Sequence, residues 1–168
     1  MVVIGYKCFY KNLTNIYGVK FEEGKIYTTE GNIKFGLEGN GFHMCKRLED
    51  TLRYFNGIEN EVSICMVKGS GQIIKGFDDY NEYYDMYSVE NIEIIKKLSR
   101  SEIINTALNL NKERIKRFIK GFKLTDDEIA VAKEKFKGCD EVIAFIEYYQ
   151  EKRLDAFEAR TKRLLLKK

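Results

Sequence analysis

The hydrophobic period of this chain changes once, near Leu98. Ahead of that point apolar residues alternate or gather in short β-branched and aromatic runs; behind it they recur every three or four positions. A strand buries alternate residues and a helix buries every third or fourth, so the change of period separates a β-rich part from a helical one. The expected fold is α+β. Residues 1–97 should form a mainly antiparallel β domain with one helix, and residues 98–168 a basic helical domain or extension of three to four helices.

Within the front part, Val2 to Phe9 suits a buried strand and Lys25 to Thr29 alternates polar with apolar. Glu30-Gly31-Asn32 reads as a hairpin connection to Ile33-Lys34-Phe35, because Gly and Asn accept the positive φ of such turns. Phe42 to Cys45 predicts a short strand, and Leu48, Leu52 and Phe55 predict a helix stopped by Asn56-Gly57. Glu61–Lys68 and Gln72–Lys75 read as two strands of a hairpin joined by Gly69-Ser70-Gly71, and Ser88 to Lys97 reads as another strand. Behind Leu98, Ser99 with Glu102 and Thr125 with Glu128 fit the capping box, in which hydroxyl and carboxylate satisfy each other's free backbone amides at a helix start. Ile115, Phe118 and Phe122 form an apolar stripe, as do Ile129, Ala132 and Phe136, the latter ended by Gly138. A last helix starts near Asp140.

With 44% apolar and 33% charged residues the chain is expected to fold. No apolar run approaches the roughly 20 residues of a bilayer span, and the amino terminus lacks the apolar stretch of a signal peptide. The protein is expected to stay where it is made, in the cytoplasm, with no membrane partner. Cys8, Cys45, Cys65 and Cys139 are scattered without a C-x-x-C pair and read as reduced, mostly buried thiols.

Three groups of residues invite a functional reading. Tyr80, Tyr83, Tyr84 and Tyr87 belong to an acidic aromatic run from Phe77 to Tyr87, whose rings and carboxylates suit a basic protein partner or simply cover the sheet. Residues 98–168 hold 17 Lys and Arg against 12 Asp and Glu, whereas 1–97 hold 12 against 14. Arg114, Lys116, Arg117, Lys120 and Lys123 could thus meet nucleic-acid phosphates, although the interspersed acids favour ion-paired helix faces. His43, the one histidine, stands two residues from Cys45, which on a strand puts both on one face. Two ligands fall short of the four of a structural zinc, so no metal and no cofactor is expected.

Tyr6-Lys7-Cys8-Phe9, the F-E-x-G-K-x-Y segment from Phe21 to Tyr27, and the G-F-H-x-C segment from Gly41 to Cys45 resemble, in order and spacing, a small domain of unknown function that recurs in tailed phages and prophages. The resemblance covers about residues 4–98. It implies a compact α+β fold and mobile-element ancestry, with no chemistry assigned to either segment. The layout is also similar to the nicotinamide-binding half of ADP-ribosyltransferase-like folds, in which Tyr6, Tyr27 and His43 would line a dinucleotide cleft and Glu61 would orient the acceptor. The reading that leads is a non-enzymatic phage or prophage accessory protein that binds a host or phage protein in the bacterial cytoplasm. Nucleic-acid binding through the basic helices is the alternative, and an ADP-ribosyltransferase-like enzyme the third.

Overall fold

The computed structural model of the chain describes residues 1–35, 39–52, 62–76 and 85–150. Its strands are β1 (Val3–Tyr10), β2 (Ile26–Thr28), β3 (Phe42–Cys45), β4 (Val62–Gly76) and β5 (Met86–Lys97). Its helices are α1 (Leu48–Thr51), α2 (Arg100–Leu108), α3 (Lys112–Gly121), α4 (Asp126–Lys135) and α5 over 140–150. The fold is α+β, with an antiparallel sheet in front and helices behind, as the change of period predicts.

The pairings run in a circuit. β4 and β5 form a long antiparallel pair, β1 lies on the other side of β4, and β3 lies on the other side of β5. β3 then meets β1 at a single position, Tyr6 opposite Cys45, which closes the ring. β2 continues alongside β5 beyond β3. Alternation along the strands sends one set of side chains to each face. One face gathers Val3, Phe9, Met44, Val67, Val89 and Ile92 into a buried cluster. Phe21, from the loop after β1, fills its middle: its ring centroid lies 5.0 Å from Phe9, 4.6 Å from Tyr27 and 6.2 Å from Phe42.

The other face meets the helices. Cys8 and Ile64 of the sheet share one buried cluster with Leu48, Leu52, Ile104 and Phe118, which reaches on to Val142 and Ile146 of α5. Each such side chain contributes roughly 1.5–3 kcal/mol of burial, so sheet and helices are held by one continuous core. Both predicted capping boxes form: the Glu102 N–H donates to Ser99 Oγ and the Ser99 N–H to Glu102, and Thr125 with Glu128 repeats the arrangement. α3 starts on Asn111, whose side-chain oxygen accepts from the Arg114 N–H at 3.0 Å.

Two expected hairpins do not form. Gly69-Ser70-Gly71 makes no turn; β4 runs through it as one strand of 15 residues, with a register shift against β5 between Ser70 and Ile73. A Cβ on Gly69 would come within 2.6 Å of Val89 Cγ1, and Gly71 takes φ +78, so these glycines serve close approach and a bulge. The hairpin over Glu30-Gly31-Asn32 is likewise replaced, since β2 pairs with β5 and Ile33 is buried outside any strand, where its N–H donates to Gln72 Oε1 at 3.4 Å. The predicted helix at Leu48 is α1; Phe55 to Gly57 lie outside the described residues.

Candidate functional site

β1 and β3 splay apart from their single paired position, and a cavity of about 650 Å³ opens along the seam. At the pairing point the backbones are forced close: a Cβ on Gly5 would overlap the Cys45 carbonyl and lie 2.8 Å from Met44 Cε. Side chains stand in for the missing ladder. Lys7 Nζ donates to the His43 carbonyl at 2.6 Å, and Lys46 Nζ donates to the Ile4 carbonyl at 3.0 Å. The cavity walls are mostly apolar, and Tyr6, Phe21, Phe42, Met44, Cys45 and Met86 are among the lining residues. Ile16 and Tyr17 stand at its edge, 65% and 75% exposed, on a tight loop in which Asn15 Oδ1 accepts from the Tyr17 and Val19 amides.

Burial dominates the electrostatics of the seam. Burial holds Lys7 below the usual ammonium range, opposed by the thiols of Cys45 and Cys8. Its charge has no carboxylate partner among the described residues; besides the His43 carbonyl it has only the Phe9 ring, 5.6 Å from Nζ. Burial, assisted by Lys7, also lowers the pKa of His43, whose ring lies 5.0 Å from that of Phe35 and whose Nε2 is buried without a hydrogen bond. The Cys8 thiol is pushed up to about 12, first by burial, so it stays protonated and is a poor nucleophile at neutral pH.

The family described as Domain of unknown function (DUF7666) matches residues 3–106, which takes in all five strands, α1 and most of α2. The chain belongs to this family. The DUF7666 domain accordingly contains every described residue that lines the cavity, and α3 to α5 lie beyond the match. No curated protein and no solved structure matches the chain.

The residues singled out from the sequence fall unevenly around this DUF7666 site. Tyr6 and His43 both line it, and Cys45 joins them; among the described residues no three His, Cys, Asp or Glu side chains gather in ligating range. Tyr27 packs on Phe21 instead of facing the cavity, and Glu61 lies outside the described residues. Tyr80, Tyr83 and Tyr84 also lie outside them, while Tyr87 is half-buried against the inner cluster. Of the basic row, Arg114 pairs with Glu49, Lys116 with Glu113 at 3.2 Å and Glu141 at 2.5 Å, and Arg117 with Asp50 at 3.9 Å; Lys120 and Lys123 are exposed. Much of that row therefore faces carboxylates of its own chain. Lys7 was not singled out. It shares strand parity with Val3 and Phe9, and that parity was the available signal that its side chain points inward with theirs.

A second polar cluster lies on α1, where Glu49 and Asp50 are both buried under α3. Burial first, then the neighbouring Glu49 charge, raises the Asp50 carboxyl to about 6, against the pull of Arg117, Arg47 and Arg114. A carboxyl raised in the folded state holds its proton more tightly there than in the unfolded chain, so its contribution to stability falls as pH rises from about 4 to about 6. Asp50→Asn should remove that slope, which is on the order of 2–3 kcal/mol. Urea unfolding at several pH values checks it, and an unchanged slope in the variant would refute this assignment.

Proposed function

We propose that the protein is a non-enzymatic binding module that takes a small, largely apolar ligand in the cavity between β1 and β3. One observation carries this reading: a sheet that otherwise closes on itself leaves about 650 Å³ open where β3 meets β1, lined by aromatic and Met side chains and by the half-buried Lys7. That volume and lining match those of sites for compact organic ligands, where an apolar wall supplies affinity and a few polar groups orient the guest. The raised thiol of Cys8 and the depressed basicity of His43 favour binding over nucleophilic chemistry at this seam. The resemblance of residues 4–98 to domains of tailed phages and prophages supports placing this role in an accessory protein of a mobile element, acting in the bacterial cytoplasm. Among the described residues no helix is long and apolar enough to cross a membrane.

The four methionines provide the test. Met44 and Met86 line the cavity, whereas Met66 packs against the helix-side cluster and Met1 is exposed. Titrating an uncharged apolar dye, N-phenyl-1-naphthylamine, into protein labelled at the Met methyls should enhance the dye's fluorescence saturably and shift the Met44 and Met86 resonances. The Met66 and Met1 signals should stay in place. Absence of saturable binding, or shifts confined to Met66 and Met1, would defeat the proposal.

A further inference from the structure

We infer that the ligand of this cavity is an organic monoanion, a carboxylate on an apolar body, with Lys7 as its counter-charge. The inference rests on the cavity being a ligand site and adds what that ligand must carry. A buried ammonium is stable only when something offsets the loss of its hydration, usually a carboxylate held close to it. Lys7 lacks this. Its neighbours among the described residues are a backbone carbonyl, an aromatic ring and two thiols, of which Cys8 is strongly disposed to stay neutral. Among the described residues the cavity lining holds one positive charge, Lys7, and no Asp or Glu. The bond to the His43 carbonyl uses one of the three ammonium donors and leaves two.

His43 lines the same cavity, but its Nε2 is enclosed by protein and out of a ligand's reach, which leaves Lys7 as the charged donor there. A single ammonium suits one negative charge better than two, which favours a carboxylate over a phosphate dianion. The remaining walls, Phe21, Phe42, Met44 and Met86, are suited to an alkyl or aryl body.

The experiment compares three head groups on one ten-carbon chain, decanoate, 1-decanol and decyltrimethylammonium, as competitors of the bound dye at neutral pH. Partition into an apolar space alone favours the alcohol over the ionised acid. A charge-assisted pairing with Lys7 should reverse that order, so that decanoate displaces the dye at about tenfold lower concentration than decanol, with the cationic compound weakest. Lys7→Met keeps most of the length of the side chain and removes its charge; it should erase the difference between the concentrations at which decanoate and decanol displace the dye. Lys7→Arg should retain the preference, and it keeps the comparison available if the Met variant fails to fold. Equal potency of decanoate and decanol on the unaltered protein overturns the inference and leaves the cavity proposal standing, as does a preference that survives in a folded Lys7→Met variant. Loss of dye binding to the unaltered protein overturns both.

Discussion

Gly5→Ala is expected to lose at least about 3 kcal/mol of folding stability, as a midpoint shift in urea unfolding. The single methyl group added to β1 would overlap the Cys45 carbonyl oxygen and crowd Met44 Cε, and the carbonyl belongs to a backbone that cannot rotate away like a flexible side chain. Either β3 moves off β1 or the Tyr6–Cys45 pairing breaks. Against a total stability of typically 5–15 kcal/mol this is a large fraction. Gly18→Ala is the informative control. Gly18 has φ +78 and open space around its Cβ position, so its substitution should cost only about 1 kcal/mol of backbone strain. Comparable losses in the two variants would refute the close-approach argument.

The second large effect is expected at the contact between α1 and α3. Arg114 Nε bonds Glu49 Oε1, and the Glu49 side chain is only 1% exposed, with its other oxygen unbonded. Arg114→Met would leave that carboxylate buried without its principal partner, which costs about 3 kcal/mol or more. Removing both charges, as in Glu49→Leu with Arg114→Met, should restore most of the loss, because an apolar pair avoids the desolvation that the ion pair must offset. A double-mutant cycle reads the coupling directly; additive losses would show that the two groups do not stabilise each other.

Much of the architecture was legible because its signals are local. The capping boxes at Ser99 and Thr125 are reciprocal bonds between residues three apart, and the stripe from Ile115 to Phe122 needs nothing beyond the pitch of a helix. β1, β3 and β5 follow from β-branched and aromatic runs. The Gly69-Ser70-Gly71 segment misled because glycine serves turns, bulges and close contacts alike, and only the neighbouring strand decides which; here Val89 decides. The partner of β2 depends on where β5 passes, which no short window contains.

The candidate site was legible in its members and not in its shape. Strand parity puts His43 and Cys45 on one face and the layout puts Tyr6 near His43, whereas the space between them exists because β1 and β3 stop pairing after one position. A charged residue in a strand ordinarily faces solvent, so the charge of Lys7 points outward while its parity with Val3 and Phe9 points inward. The basic row on α3 was visible as charge, but its partners Glu49 and Glu141 come from elements far along the chain.

The ring of strands is unevenly fastened. β1 lies along β4 from Val3 to Tyr10, yet meets β3 at one residue pair and is otherwise tied to it by the tips of two lysines. Local opening follows the weakest fastening, so amide exchange should be fastest among the seam-facing backbone groups of β3, well below the free energy of global unfolding. Such a latch lets a guest enter through a brief parting of two strands while the rest of the framework stays shut.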